Sequence, residues 1–158
     1  MSDGLLFAAV IPVLAILSAK DWCHRMLPNR WTLALALVAF AARLAFGGVS
    51  GAVDGALGGF ACAAFLLVPF LLRGAGAGDV KMMFGAGIAA GLRLCVAEML
   101  FVSICGLLLG LAMLAVGRTG FGRKAAARGV AFQVPFGVAI AVGTVVTLGY
   151  ALWLGGRP

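Results

Sequence analysis

Acidic residues are scarce in this chain, and two of them stand where they could act together on a peptide bond. The five acids are Asp3, Asp21, Asp54, Asp79 and Glu98. Asp21 ends the first long apolar run, and Asp79 directly precedes the fourth. Two carboxyl groups that share a water cannot both ionise comfortably, so the pKa of one rises. The ionised group can take a proton from the water while the protonated group polarises a substrate carbonyl, which is the chemistry of aspartic proteolysis.

A structural role is also open to both carboxyl groups. Asp21 could simply pair with Lys20 or Arg25. Asp79 could cap a helix, because aspartate is favoured at helix N-termini. Three glycines precede Asp79 and alternate with alanine, namely Gly74, Gly76 and Gly78. Glycine allows the close backbone approach that an extended substrate beside a carboxylate requires, although glycines in membrane helices can also serve packing alone.

The remaining acids can be accounted for by contact with water or with a nearby arginine. Asp3 stands in the N-terminal tail, where water reaches it. Asp54 and Glu98 fall near those ends of their apolar runs that face away from the presumed pair. Water, Arg43 or Arg93 could satisfy them there, so we expect neither to act in the chemistry.

The elements that position the two carboxyl groups follow from composition. Hydrophobic residues make up 64% of the 158 residues and charged ones 11%, with a mean hydropathy of +1.16. A soluble domain is about 45–50% apolar and about 25% charged, so the solvent of this chain is lipid. The apolar runs are continuous and do not alternate as membrane β-strands do. At about 20 residues per crossing, they predict a single all-α, polytopic domain over 1–158 with about six transmembrane helices.

The predicted spans are 5–19, 31–46, 53–72, 80–92, 95–116 and 130–154. This count places nine of the twelve Lys and Arg residues on one side. Short cytoplasmic loops carry such an excess, so Asp21, Asp79 and the basic loop 118–128 are expected at the cytoplasmic face. The net charge of +7 is accounted for by loops beside anionic lipid, and nucleic-acid binding is not expected.

Metal and cofactor chemistry finds little support in the sequence. The four cysteines are Cys23, Cys62, Cys95 and Cys105. They form no Cys-x-x-Cys pair, and three of them lie within apolar runs. The one histidine, His24, adjoins Cys23, but a structural zinc site normally needs four ligands. We therefore expect no metal and no cofactor.

Three segments resemble one family. The segment 76–81 resembles the GxGD motif of intramembrane aspartic proteases, in the GDxK form typical of type IV prepilin peptidases; its matching residues are Gly76, Gly78, Asp79 and Lys81. The segment 21–29 is similar to the first catalytic segment of that family, with Asp21, Arg25, Pro28 and Asn29. The segment 134–140 resembles its C-terminal proline-glycine segment, with Pro135 and Gly137.

The resemblance implies that Asp21 and Asp79 are the catalytic pair and that the other motif residues support the site or bind substrate. The presenilin branch carries Tyr-Asp at the first position, whereas this chain has Lys20 before Asp21. Larger prepilin peptidases also carry an insertion with paired Cys-x-x-Cys motifs and methylate the new N-terminus. The loop here has about ten residues and one cysteine, so the resemblance is to the short peptidases of tight-adherence (Flp-type) pilus systems, without methyl transfer.

The expected function is therefore an endopeptidase of pilus biogenesis and protein secretion in the bacterial inner membrane. It would cut the leader of an Flp-like prepilin or pseudopilin, a substrate with a basic leader and one apolar helix, at the cytoplasmic face. Two alternatives from other classes are a small transporter and a non-catalytic membrane subunit of a secretion apparatus. A neighbouring gene for such a substrate would favour the peptidase, and the oligomeric state stays open.

Overall fold

A computed structural model describes residues 2–24, 27–72, 75–117 and 135–155, and all regular structure in these ranges is helical. The helices are α1 (Ser2–His24), α2 (Asn29–Leu71), α3 (Ala77–Ala90), α4 (Cys95–Gly117) and α5 (Phe136–Gly155). A 3₁₀ turn over Leu92–Leu94 joins α3 to α4. The predicted all-α class is confirmed for the described ranges. The predicted basic loop 118–128 and the start of the last predicted span lie outside them.

Four segments are long and apolar enough to cross a membrane, namely Gly4–Cys23, Asn29–Leu71, Leu92–Ala115 and Phe136–Gly155. This confirms a multi-pass helical membrane protein. α3 has 14 residues and is therefore about 21 Å long, which is less than the roughly 30 Å of a hydrocarbon core. Length and composition alone thus give four candidate spans and do not confirm the predicted count of six.

The long helix α2 folds back on itself at Gly48. This glycine has φ 62° and ψ −159°, a break within an element of 43 residues. In a straight helix Leu35 and Cys62 would lie about 40 Å apart. Yet Gly85 and Gly87 on α3 approach them so closely that a Cβ on each glycine would lie 2.8 Å from Leu35 Cγ and 2.7 Å from Cys62 Cβ. The chain therefore reverses at the break, within the predicted turn at 47–51.

The two arms of α2, 29–47 and 49–71, enclose α3. On the second arm, a Cβ on Gly58 would lie 2.7 Å from the carbonyl oxygen of Gly87, and a Cβ on Gly59 would lie 2.9 Å from that of Phe84. Small residues allow such backbone approach between helices in lipid, where apolar burial alone does not drive association. These contacts fix α3 against both arms, and α3 carries Asp79 in its first turn.

An ion pair closes the turn of α2. Arg43 Nη1 lies 3.1 Å from Asp54 Oδ2 across the break. The Arg43 Nη2 donates to the carbonyl oxygen of Ala89 at 2.8 Å, at the end of α3. The prediction that Arg43 satisfies Asp54 is confirmed. One guanidinium therefore holds the turn and binds the C-terminal end of α3, where unpaired carbonyls favour a cation.

The environment of Glu98 differs from the predicted one. Its side chain is 0% exposed, and its Oε1 lies 2.6 Å from the Thr144 hydroxyl on α5. Arg93 instead is exposed. The expectation that water or Arg93 satisfies Glu98 is therefore wrong, because α4 turns this side chain towards α5.

Replacing Gly91 with alanine should destabilise the fold. Gly91 has φ 74°, and a Cβ there would collide with the side chains of Arg43 and Asp54. The strained backbone alone should lower the free energy of unfolding by about 1–3 kcal/mol. Gly110→Ala on α4 is the matched control, since a Cβ there meets nothing within 4 Å. Thermal unfolding in detergent would measure both, and equal melting temperatures for the two variants would contradict this account of Gly91.

Candidate active site

Three helix ends meet at one end of the bundle. α1 runs towards this end and has Asp21 in its last turn, whereas α3 and α5 begin there. Asp79 lies in the first turn of α3, and Gly137 lies in the first turn of α5. Burial raises the pKa of Asp79, and the negative charge of Asp21 adds to that rise. The two carboxyl groups predicted to act together therefore lie at the same end of the bundle, near enough for one charge to affect the other.

Asp21 is held by the start of α5. The carboxyl group is buried, with 6% of the residue exposed, and its Oδ2 accepts a hydrogen bond of 2.8 Å from the backbone N–H of Gly137. A Cβ at Gly137 would lie 2.8 Å from the same oxygen, so glycine leaves room for the carboxyl group. The unpaired N–H groups at a helix start carry partial positive charge. This position stabilises Asp21 as a carboxylate.

Pro135 directly precedes α5 and is buried. Its carbonyl oxygen accepts a hydrogen bond of 3.2 Å from Val138 N–H, which closes the first turn of α5. Proline is well suited to a helix start because its fixed φ matches the helix and no N–H is lost from the ladder. The predicted proline-glycine segment therefore shapes the helix end that meets Asp21.

Asp79 caps its own helix. Its Oδ2 accepts a hydrogen bond of 2.9 Å from Gly76 N–H, and Asp79 N–H donates to the Gly76 carbonyl oxygen at 3.0 Å. Burial raises the pKa of Asp79, the hydrogen bond from Gly76 opposes that rise, and the charge of Asp21 adds to it. The capping role considered in the sequence is thus present, together with an environment that favours the protonated acid.

The other motif residues connect α3 to the start of α2. A Cβ on Gly78 would lie 2.9 Å from the Cβ of Leu27, so the lack of a side chain at Gly78 admits Leu27. Pro28 precedes α2, and its carbonyl oxygen accepts the N–H of Trp31 at 3.0 Å. Lys81 Nζ donates to Asn29 Oδ1 at 2.8 Å, with both side chains exposed.

The structure brings nearly all predicted site residues to this end: Asp21, Pro28, Asn29, Gly76, Gly78, Asp79, Lys81, Pro135 and Gly137. Arg25 lies outside the described residues. Sequence reasoning missed Leu27, because an apolar residue before a proline gives no signal of its partner. It also related Gly78 to the approach of substrate, whereas the neighbour that Gly78 admits in the structure is Leu27.

The opposite end of the bundle holds a separate cavity of about 470 Å³, lined by residues that include Phe7, Arg43, Asp54 and Ala90. Phe7 and Asp21 both lie on α1, fourteen residues apart and hence separated by about 21 Å. Asp54 and its ion pair with Arg43 are therefore remote from the Asp21 and Asp79 pair. At this end a carboxyl group pairs with a guanidinium, whereas at the other end two carboxyl groups accept hydrogen bonds from backbone N–H groups.

A bundle of apolar helices with two interacting carboxyl groups at one end defines a multi-pass membrane protein with a candidate hydrolytic centre. The model of the type IV leader peptidase family matches residues 8–111, about two thirds of the chain, and this range includes Asp21 and Asp79. The chain belongs to the type IV leader peptidase family, and membership implies a protease. No curated protein and no solved structure matches it significantly.

Gly78→Ala should reduce peptidase activity per folded molecule by roughly tenfold or more, because a shift of the helix start misplaces Asp79. The added Cβ meets Leu27, so α3 and the start of α2 must move apart. Ala77→Gly is the control, since Ala77 is exposed and should tolerate the change. Adding Leu27→Gly to Gly78→Ala should restore part of the activity. Absence of any restoration, at equal folded protein, would mean that Leu27 is not the reason for glycine at this position.

Proposed function

We propose that this protein is an intramembrane aspartic endopeptidase whose catalytic pair is Asp21 and Asp79. The observation that carries the proposal is that Asp21, held by Gly137 N–H, and Asp79, held by Gly76 N–H, lie at the same end of the bundle. Burial raises the pKa of Asp79 there, and the charge of Asp21 adds to that rise. Perturbed carboxyl groups of this kind are typical of acid-base chemistry. Family membership supports proteolysis, and the pair supplies an aspartic mechanism for it.

The two aspartates have different roles in this proposal. Asp79, whose pKa is raised by burial, holds the proton. Asp21 is the carboxylate, stabilised by Gly137 N–H at the start of α5. Asp21 takes a proton from water as the water oxygen attacks the scissile carbonyl carbon, and Asp79 donates its proton to the carbonyl oxygen. When the tetrahedral intermediate breaks, the proton on Asp21 passes to the leaving amine and Asp79 regains its own.

The proposed topology has six crossings with the active end at the cytoplasmic face of the inner membrane. The reversal of α2 at Gly48 supports two crossings within one long element. α3 packs against both arms of α2, and the proposed span 80–92 adds a further crossing that leaves Asp79 at the membrane boundary. Lys20 and Lys81 accompany the aspartate pair, whereas Arg43 and Arg93 belong to the opposite end. The excess of cations in loops on the active side follows the positive-inside rule.

The proposed substrate is an Flp-like prepilin or pseudopilin, cut where its basic leader meets its apolar helix. A pair of carboxyl groups at the membrane boundary suits that junction, because the leader stays in water while the helix stays in lipid. The chain between α1 and α2 comprises only residues 25–28. We therefore propose a peptidase domain without the methyltransferase insertion. A transporter would be expected to place such acids near the bilayer midplane, and a non-catalytic subunit would have no need for two carboxyl groups at one boundary.

Asp21→Asn and Asp79→Asn should each abolish processing of a co-expressed Flp-like prepilin. The amide keeps the shape of the side chain but cannot exchange the proton that the reaction needs, and loss of such a group lowers rates by roughly 10²-fold to 10⁴-fold. Asp54→Asn is the matched control, since this aspartate lies at the opposite end beside Arg43. The size of the pilin, read at equal membrane abundance of the enzyme, measures processing.

Processing that persists in either Asp21→Asn or Asp79→Asn would reduce that residue to a cap or an ion-pair partner. Loss of processing in a stable Asp54→Asn protein would mean that the wrong pair is assigned. Failure of the wild-type enzyme to cut any prepilin, with intact membrane insertion, would favour a non-catalytic subunit.

The rate of cleavage should fall as the pH rises through the pKa of Asp79. That pKa is raised above the ordinary value of 3.8, so the protonated acid persists to a higher pH than in an exposed aspartate, and ionisation then removes the proton donor. Purified enzyme and a synthetic prepilin peptide in detergent would give the profile. Activity that instead rises over the pH range in which Asp79 ionises would assign the catalytic proton to Asp21.

A further inference from the structure

Glu98 is a fully buried carboxyl group that the proposed chemistry does not use. It lies on α4, is 0% exposed, and forms no ion pair within the described part of the chain. Its Oε1 lies 2.6 Å from Thr144 Oγ1 on α5, while its Oε2 is buried without a hydrogen-bond partner there. A buried carboxylate with one oxygen unpaired and no cation beside it is strongly disfavoured. The site therefore suits a neutral acid.

The hydroxyl group of Thr144 lies between two oxygens, and this arrangement supports the neutral form of Glu98. The Thr144 hydroxyl carries one proton, and its oxygen lies 2.7 Å from the carbonyl oxygen of Ile140 as well as 2.6 Å from Glu98 Oε1. If the hydroxyl donates to Ile140, as threonines in helices commonly do, the proton between Glu98 and Thr144 must come from Glu98. Protonated Glu98 then donates to Thr144, and no oxygen of the pair carries a charge.

The hydrogen bond between Glu98 and Thr144 also sets the position of α5 along the axis of α4. A Cβ on Gly143 would lie 2.6 Å from Val102 Cγ2 and 2.7 Å from Val102 Cα, so the helices touch closely beside Thr144. Apolar contacts such as this one resist sliding weakly, whereas a hydrogen bond has a preferred distance and direction. Gly137, whose N–H binds Asp21, lies two turns before Thr144 on the same helix.

We propose that Glu98 is a positioning residue that holds its proton and, by donating it to Thr144, fixes the axial position of α5 so that Gly137 N–H meets Asp21. This inference rests on the proposed peptidase function. The proposed coupling begins at Glu98 on α4 and ends at Asp21 on α1. It passes through the two turns of α5 between Thr144 and Gly137, within a helix of 20 residues.

A matched pair of substitutions at Glu98 tests the link. Glu98→Gln retains a donor for Thr144 and should keep kcat close to wild type. Glu98→Leu has similar bulk and no donor, and it should lower kcat by roughly 10-fold to 100-fold, the range expected when a group near the reaction is slightly misplaced. KM should change little, since Glu98 is remote from the exposed surface that a substrate meets. An apolar leucine at this buried site should leave thermal stability equal or higher, which separates positioning from support of the fold.

A second pair at Thr144 keeps the proposal testable if Glu98→Leu fails to fold. Thr144→Ser retains the hydroxyl and should keep kcat, whereas Thr144→Val removes it at nearly constant volume and should lower kcat as Glu98→Leu does. Equal kcat per folded enzyme in Thr144→Ser and Thr144→Val, at unchanged KM, would overturn the proposal.

The proton on Glu98 has its own readout, independent of cleavage. Infrared spectra of the purified protein at neutral pH should contain the carbonyl stretch of a protonated carboxylic acid that persists in Asp21→Asn and Asp79→Asn and disappears in Glu98→Gln. A spectrum unchanged by Glu98→Gln would overturn the neutral assignment. If the wild type cuts no prepilin, the peptidase function fails while this spectral test still decides the state of Glu98. If the wild type cuts and Glu98→Leu cuts equally well, the positioning role fails and the peptidase function stands.

Discussion

The hydrogen bond from Gly137 N–H to Asp21 joins the last helix of the chain to the first, and the candidate site depends on this closure. A carboxylate at a membrane boundary needs donors, because lipid provides none. Here the donor is the backbone at a helix start, so no further side chain is needed for this hydrogen bond.

Asp79 is held in a related way, by the N–H of Gly76 at the start of its own helix. Its position therefore depends on where α3 begins, and α3 is fixed by glycine contacts with both arms of α2. The close packing of backbones replaces the apolar driving force that a soluble protein would use. The ion pair of Arg43 with Asp54 then secures the far end of α3. The packing of small residues thus serves the placement of one carboxyl group.

Much of this fold can be predicted from the sequence, and the limits have a physical cause. Continuous apolar runs predict helices, and the glycines at 47–51 predict the break that the structure has at Gly48. The common depth of Asp21 and Asp79 follows from the same runs. However, a helix that is apolar all round has no polar face to show which side turns inwards. The contact of Gly78 with Leu27 and the burial of Glu98 depend on that rotation, so the sequence alone did not reveal them.

The carboxyl groups of this molecule show how the surroundings decide between structure and reactivity. Asp54 forms an ion pair with the guanidinium of Arg43, and this pair holds the turn of α2. Glu98 meets a hydroxyl and no cation within the described residues, which favours a permanently neutral acid. Asp79 is intermediate, because burial and the charge of Asp21 raise its pKa while Gly76 N–H lowers it. A carboxyl group whose pKa is raised in this way is suited to exchanging a proton during a reaction, whereas the ion pair of Asp54 and the hydrogen bond of Glu98 hold helices in place.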